Sequence, residues 1–312
     1  MRSLFAAIVL SSALGGALQA QQPAQNLARP QPDDGTRILV DVSRVNVLFT
    51  VTDKKGRFIT DLDRNDFEVV EGSHAQKIIE FTAESDLPLR LAILVDTSNS
   101  IRERFRFIQE AAIDFIKSVV RPRQDKALVF SFDTRAEVVA DLTDDSERLS
   151  QLILDLRPGG GTSLYDAILL ACRDKLGAEQ PRHKFRRAMI VLSDGDDTVS
   201  EATRDQALEM AQRMDVVIYT ISTNISRTET DGDKVLRYLA AETGGVAFFP
   251  FKVEDLAQSF ENIANELRHQ YSIYYRPEPL KTDGSYQRIG VHVKDRRDVV
   301  VRARKGYYAP RL

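Results

Sequence analysis

The sequence contains no tryptophan and only one cysteine, Cys172, among its 312 residues. A single cysteine excludes an intramolecular disulfide and a zinc site built from several thiolates. The chain also lacks a strong charge of either sign, because its net charge is −3 at neutral pH. It therefore has no overall attraction to nucleic acid or to anionic membranes. With 43% hydrophobic and 29% charged residues, the composition is that of a globular protein long enough for two domains.

The first residues have the pattern of a secretory signal peptide. Arg2 is followed by an apolar stretch from Leu4 to Leu18 and then by LQAQQ. This stretch is shorter than the roughly 20 apolar residues that a membrane-spanning helix needs. We therefore expect a signal peptide over residues 1–20, cleaved near Ala20, and a secreted or periplasmic protein with no integral membrane segment after cleavage. Residues 21–36 are polar and rich in proline, which predicts a flexible linker.

Two stretches of the chain, residues 37–87 and 271–312, have the alternating hydrophobic pattern of half-buried strands. The alternating apolar positions include Val45, Val47, Phe49 and Val51 in the first stretch and Ile289, Val291 and Val293 in the second. Each stretch alone has few strands with which to bury a hydrophobic face. We therefore expect the two stretches to pair into one small β-sandwich, with residues 88–270 inserted between them.

Between these β segments, apolar strands alternate with amphipathic helices. The segment LRLAILVD, which ends at Asp96, is almost continuously apolar, as in a parallel strand that is covered on both faces. A helical pattern follows, with apolar residues every three or four positions from Ile101 to Val119. Further strands and helices continue this alternation as far as EDLAQSFENIANELRHQ. The order predicts an α/β fold with a doubly wound, mostly parallel sheet.

Oxygen-bearing side chains follow three of the predicted strands, at the edge where ligands bind in such sheets. The loop DTSNS holds Asp96, Ser98 and Ser100, the loop GGGTS holds Thr162, and the loop LSDG holds Asp194. All five side chains are hard oxygen donors, and none is an imidazole or a thiolate. This donor set favours Mg²⁺, with Mn²⁺ or Ca²⁺ as alternatives, over zinc or copper. The sequence therefore predicts a divalent metal site formed by these five residues.

Each loop on its own also has a simpler structural interpretation. Asp and Ser are good N-caps, so DTSNS could serve only to start the next helix. GGGTS could be a tight turn followed by a cap, and SDG could be an ordinary turn. The three loops together, in this order on one predicted edge, favour the metal interpretation.

As a set, DTSNS, GGGTSLYDA and LSDG resemble the metal-ion-dependent adhesion site (MIDAS) of von Willebrand factor type A (VWA) domains. The resemblance extends over residues 88–268. The flanking segments VTDKKGRFITDLDRNDFEVVEG and VRARKGYYAP are similar to secreted bacterial proteins related to this family. The resemblance implies the same doubly wound fold, with the metal at the carboxyl edge of the sheet.

The resemblance also implies a role for each candidate ligand. The hydroxyls of Ser98, Ser100 and Thr162 would coordinate the cation directly. Asp96 and Asp194 would act through bound waters, which leaves one position for an Asp or Glu of a protein partner. The implied function is metal-dependent protein binding or adhesion, without catalysis.

Two other functions stay open on the same residues. An aspartate at a strand end together with Mg²⁺ also occurs in metal-dependent phosphohydrolases. Against a phosphatase of the HAD type, the position two residues after Asp96 is Ser98, where such enzymes carry a second acid. The remaining alternative is that the cation only stabilises the fold and that the β segments carry the interaction.

Other possible sites in the sequence have weaker patterns. DLDRNDFEVVEG resembles an EF-hand calcium loop, but its sixth residue is Asp66 instead of Gly and its twelfth is Gly72 instead of Glu. We therefore expect a turn between strands there. The four histidines are far apart and lack the spacing of a metal-binding pair. Cys172 lies on the apolar side of a predicted helix, which indicates a buried structural thiol.

Overall fold

The structure, a computed structural model, describes residues 44–83, 87–180, 184–224, 228–250 and 252–311. The expected signal peptide and linker, together with His183, lie outside the described residues. In the part of the chain that is described, no helix has the length and apolar character needed to cross a membrane.

The strands and helices follow one another in the order expected for an α/β unit between two β segments. The strands are β1 (Val45–Asp53), β2 (Phe67–Glu71), β3 (His74–Gln76), β4 (Ile78–Thr82), β5 (Leu89–Asp96), β6 (Lys126–Phe132), β7 (Ala136–Thr143), β8 (Arg186–Ser193), β9 (Val216–Ser222), β10 (Ala247–Phe248), β11 (Tyr271–Tyr275), β12 (Tyr286–Val293), β13 (Val299–Ala303) and β14 (Gly306–Tyr308). The helices are α1 (Phe105–Val119), α2 (Ser146–Asp155), α3 (Leu164–Leu170, continued by π-helical turns over Ala171–Leu176), α4 (Arg204–Arg213), α5 (Asp231–Thr243) and α6 (Val253–Arg268).

The central sheet has six strands in the order β10-β9-β8-β5-β6-β7. All neighbours are parallel except β7, which runs antiparallel to β6. The predicted doubly wound, mostly parallel sheet is therefore confirmed. Because β5 lies inside this sheet, its last residue opens onto the carboxyl edge between β8 and β6.

The near-continuous apolar character of β5 follows from its position between two helical layers. Leu91, Ile93 and Val95 belong to the core formed with α1, α2 and α6. Ala92 and Leu94 belong to the opposite core, formed with α3, α4 and α5. Since side chains alternate across a strand, both faces must be apolar, and all five of these residues are fully buried.

The first helix begins later than its sequence pattern indicates. A 3₁₀ turn spans Asn99–Ile101, and the α-helix starts at Phe105. Ile101 is nevertheless buried against the same core as the helix. The spacing of the apolar residues therefore indicates which face is buried. The tight turn after Asp96 determines where the helix starts.

Strands from both ends of the chain form the β-sandwich. Its two antiparallel sheets have the orders β13-β1-β11-β4 and β14-β12-β2-β3, so each sheet combines early and late strands. Phe49 on β1 lies opposite Tyr271 on β11, and their rings stack with centroids 5.5 Å apart. Phe67 on β2 packs against both rings from the other sheet. The expected pairing of the two β segments is confirmed, while the domain boundaries stay a prediction.

Two secondary expectations agree with the structure. The EF-hand-like segment forms a 3₁₀ turn at Arg64–Asp66, and the side chains of Asp63 and Asp66 are used in its capping box. The thiol of Cys172 is free and fully buried, and this burial raises its pKa. Both segments therefore serve the fold.

Candidate metal centre

Asp96, the last residue of β5, lies at the carboxyl edge of the central sheet with its side chain fully buried. Its Oδ1 accepts a 2.8 Å hydrogen bond from the backbone N–H of Ser98, which turns the chain away from the strand. Its Oδ2 accepts a 2.6 Å hydrogen bond from the hydroxyl of Ser193, at the end of the neighbouring strand β8. Two donors therefore fix the orientation of this carboxylate.

The turn after Asp96 brings two hydroxyls together. The Oγ atoms of Ser98 and Ser100 lie 2.9 Å apart, with Ser98 buried and Ser100 exposed. Ser98 occupies the N-cap position of the 3₁₀ turn, but its side chain makes no capping hydrogen bond. Helix capping therefore does not account for the serines of DTSNS.

The glycine-rich loop is joined to the first loop through the backbone. The N–H of Gly159 donates to the carbonyl of Thr97 at 2.6 Å. At Gly160 the backbone has a φ of +79°, and a Cβ there would lie 2.6 Å from Oγ1 of Thr134. Glycine meets both conditions, because it adopts a positive φ readily and has no Cβ. This explains the glycine two positions before Thr162.

Thr162 is buried, and its backbone is hydrogen-bonded to the third loop, which follows Asp194. Its N–H donates to Oγ1 of Thr198 at 2.9 Å. Its carbonyl accepts hydrogen bonds from the N–H groups of Thr198 and Val199, at 2.9 and 3.2 Å. The segment that carries Thr162 therefore lies between the first and third loops.

Asp194 follows directly after β8 and is half-buried. Its Oδ1 accepts a 3.2 Å hydrogen bond from the N–H of Asp196. Between them, Gly195 has a φ of +84°, and a Cβ there would lie 2.2 Å from the carbonyl oxygen of Gly232 near the start of α5. The glycine of LSDG is thus required by a backbone contact between two loops.

Asp194 contributes to the pKa of Asp96. The pKa of Asp96 is raised to about 6, chiefly by burial and to a smaller extent by the nearby carboxylate of Asp194. Hydrogen bonds from Ser193 and Ser98 lower it in part. Two carboxylates within electrostatic reach repel each other, and a divalent cation bound between them would remove that repulsion.

The donors present fit a hard divalent cation. The structure brings Asp96, Ser98 and Ser100 into contact and places Asp194 within electrostatic reach of them. Among the described residues, no group of three or more His, Cys, Asp or Glu side chains converges on one point. A cation at this edge would thus depend on hydroxyl oxygens, which are hard donors. The five-residue ligand set stays a prediction.

Sequence reasoning missed Ser193. It is fully buried, and its hydroxyl both donates to Asp96 and accepts a 3.0 Å hydrogen bond from the N–H of Gly195. Its only signal in the sequence was a polar residue that ends the apolar run AMIVLS directly before Asp194. Asn99 was also missed, and its side-chain amide donates to the carbonyl of Gly160 at 3.3 Å.

Sheet order and loop positions together define a doubly wound α/β domain with a candidate metal centre at its carboxyl edge. The family model of the von Willebrand factor type A domain matches residues 91–266. The chain therefore belongs to the von Willebrand factor type A domain family.

Two curated relatives match part of the chain. Human von Willebrand factor A domain-containing protein 3B is 28% identical over 170 residues, which cover 52% of this chain and 12% of that protein. An uncharacterized protein of Borreliella burgdorferi is 23% identical over 228 residues, which cover 62% of this chain and 63% of that protein. The chain thus spans less than two thirds of the length of either relative.

Solved structures share the fold at low sequence identity. A von Willebrand factor type A protein from Catenulispora acidiphila has a TM-score of 0.51 and 15% identity, covering 86% of this chain and 74% of that chain. Proximal thread matrix protein 1 from the mussel byssus, with a zinc-occupied MIDAS motif, has a TM-score of 0.51 and 17% identity. That match covers 63% of this chain and 50% of the mussel chain. At these identities, the similarity shows the fold alone.

Proposed function

We propose that this protein is an exported binding or adhesion module that recognises a protein partner through a divalent cation, with Mg²⁺ preferred and Mn²⁺ or Ca²⁺ as alternatives. The main observation that supports this proposal is that Asp96, Ser98 and Ser100 lie together at the sheet edge, near Asp194. Thr162, in the loop bonded to its neighbours on both sides, completes the proposed ligand set. VWA domains are known as adhesion and protein-interaction modules, which supports the same function.

The charges of the proposed ligands explain why a partner would be needed. Ser98, Ser100 and Thr162 would offer neutral oxygens, so protein atoms in direct contact would offset little of the cation's charge. An Asp or Glu of the partner would bring a charged oxygen to the remaining position, in a partly desolvated site where such a contact is strong. Partner binding would therefore require the cation.

We propose binding in preference to hydrolysis. Ser98 stands where a HAD-type phosphatase would carry a second acid, and its hydroxyl lies against Ser100. An assay with common phosphate esters and Mg²⁺ tests this choice. Turnover by the wild-type protein that disappears in Asp96→Ala would favour the hydrolase instead.

Export is part of the proposal and rests on residues 1–20. Their pattern of one charge, a short apolar run and a small residue is that of a signal peptide. The single buried cysteine is compatible with an oxidising compartment, because no exposed thiol is offered there. N-terminal sequencing of the protein recovered outside the cytoplasm would show cleavage near Ala20 if the proposal is correct.

The metal site is tested first with purified protein. Mg²⁺ should raise the melting temperature of the wild type and should not raise that of Asp96→Ala. An equal rise in both would contradict the site.

The partner is then sought by a pull-down from envelope extract in Mg²⁺ and in EDTA, with Thr162→Ala as the variant and Ser150→Ala, on α2, as its matched control. Proteins retained only with Mg²⁺, and lost with Thr162→Ala alone, are the expected result.

A further inference from the structure

The hydroxyl of Ser163, the residue next to Thr162, is buried and has no hydrogen-bond partner among the described residues. The whole residue is only 1% exposed. Buried hydroxyls are nearly always bonded to protein, to water or to an ion, because an unsatisfied one destabilises the fold. The position therefore calls for an explanation.

Ser163 occupies the N-cap position of α3, where serine usually accepts a hydrogen bond from the second or third N–H of the helix. Its side chain makes no such bond. Instead, the N–H of Tyr165 donates to Oδ2 of Asp197 at 3.0 Å, and the N–H of Asp166 donates to Oγ of Ser200 at 3.1 Å. Both acceptors belong to the loop that follows Asp194.

The replacement cap is itself held in place. The hydroxyl of Ser200 donates to Oδ2 of Asp197 at 2.5 Å, and its N–H donates to Oδ1 of the same residue at 3.2 Å. The third loop therefore provides the cap that Ser163 could have provided. As a result, the hydroxyl of Ser163 is not used for capping, although Ser163 directly follows Thr162, a proposed metal ligand, in the chain.

We propose that the hydroxyl of Ser163 hydrogen-bonds a water of the cation's hydration shell, next to Thr162. The inference rests on the proposed function, because it adds Ser163 to the same metal centre as a positioning residue. Groups that orient the surroundings of a metal in this way change its affinity by about 10- to 100-fold when they are removed. Cation binding would thus give the Ser163 hydroxyl, which has no partner among the described residues, a hydrogen bond.

This role has a double signature that an ordinary buried serine lacks. Removing an unsatisfied hydroxyl should leave the metal-free protein as stable as before or more stable. Removing a group that holds a metal-bound water should at the same time weaken metal binding. A serine that only supports the fold would instead show a loss of stability without metal.

The test uses the full chain as wild type, Ser163→Ala, Asp96→Ala and Ser150→Ala. Ser150 is a matched control, because it is also a buried serine but its hydroxyl donates to the carbonyl of Ser146 at 2.6 Å. Mg²⁺ affinity is measured by calorimetric titration, and the melting temperature is measured in EDTA. For Ser163→Ala we expect a roughly 10-fold higher Kd for Mg²⁺ and a melting temperature in EDTA that is unchanged or raised by about 2 °C. For Ser150→Ala we expect an unchanged Kd.

Each other outcome contradicts a specific step. If Ser163→Ala binds Mg²⁺ like the wild type while Asp96→Ala does not, the role of Ser163 is wrong and the metal centre stands. A fall of both the affinity and the metal-free melting temperature would indicate a structural serine and would also overturn the inference. If the wild type binds neither Mg²⁺, Mn²⁺ nor Ca²⁺, the proposed function fails, and the role of Ser163 fails with it.

Discussion

The hydroxyl of Ser193 donates a 2.6 Å hydrogen bond to Oδ2 of Asp96 across two neighbouring strands of the central sheet. The same hydroxyl accepts a 3.0 Å hydrogen bond from the N–H of Gly195. One fully buried side chain therefore connects the acid that ends β5 with the loop that holds Asp194. The orientation of the first acid and the path of the third loop are linked through this contact.

Replacing Ser193 by alanine should weaken the proposed metal centre. The substitution removes a donor to the carboxylate of Asp96 and leaves the N–H of Gly195 without its acceptor. We expect a loss of about 1–3 kcal/mol in the free energy of unfolding and a roughly 10-fold higher Kd for Mg²⁺. Chemical unfolding and calorimetric titration measure the two effects. Ser193→Thr, which keeps a hydroxyl, should restore most of the Mg²⁺ affinity, and an unchanged affinity in Ser193→Ala would contradict the link.

The response to Mg²⁺ should depend on pH through Asp96. Its pKa is raised from 3.8 to about 6 in the folded protein, chiefly by burial. Because the folded state then binds the proton more tightly than the unfolded state, stability without metal falls as the pH rises through this interval. The cation needs the ionised carboxylate, so the Mg²⁺-induced rise in melting temperature should be larger at about pH 7.5 than at about pH 5.

Asp96→Asn is the control for this pH dependence. Without metal, this substitution should stabilise the protein at about pH 7.5 by at most about 3 kcal/mol. Asn has nearly the same shape as Asp, but it places no charge in the buried site. At about pH 2.5, which is below the pKa of the carboxyl group in both the folded and the unfolded state, the gain should vanish. A gain of equal size at both pH values would show that the charge of Asp96 is not its cause.

The local parts of the fold could be predicted from the sequence because they leave a periodic pattern. The residues of β5 alternate between two cores, so its uniform apolar character indicated a strand covered on both faces. The start of α1 could not be read in the same way. It depends on the turn in which the carboxylate of Asp96 binds the N–H of Ser98. The order of strands in the sandwich also depends on distant contacts, such as the stacking of Phe49 on Tyr271.

The residues of the candidate site also differ in whether their role could be predicted from the sequence. Asp96, Ser98 and Ser100 could be found because their spacing within five residues is itself unusual. The role of Ser193 could not, since its partner lies 97 positions away in the chain. The exchange of caps that leaves Ser163 unbonded depends on a loop more than thirty positions further on, as with the contact between Tyr165 and Asp197.

Gly195 should tolerate a side chain far less than Gly56, although both have a similar left-handed backbone. The φ values are +84° and +80°, but a Cβ at Gly195 would lie 2.2 Å from the carbonyl oxygen of Gly232, whereas Gly56 has nothing within 4 Å. We expect Gly56→Ala to lower the free energy of unfolding by about 1 kcal/mol, because only the left-handed conformation is unfavourable there. Gly195→Ala should cost roughly 3 kcal/mol or more and should reduce Mg²⁺ affinity. Equal costs in chemical unfolding would mean that the loop moves freely away from α5.

The β-sandwich should depend on one tyrosine that joins the two ends of the chain. Tyr271 on β11 is buried, and its hydroxyl donates to the carbonyl of Ile59 at 2.9 Å and accepts from the N–H of Leu62 at 3.2 Å. Tyr271→Phe keeps the ring packing and removes both hydrogen bonds. We expect a loss of about 1–3 kcal/mol in the free energy of unfolding, measured by denaturant titration.

Tyr238→Phe is the matched control, because Tyr238 is 38% exposed on α5 and its ring contact with Arg204 does not require the hydroxyl. Its effect should stay within about 0.5 kcal/mol. Since Tyr271 bonds to residues more than 200 positions earlier in the chain, its loss should also make the early β segment easier to cleave by protease. If limited proteolysis instead released a stable fragment of residues 37–87 from the wild type, the early strands would be stable without the late ones, and the expected dependence of the sandwich on Tyr271 would be wrong.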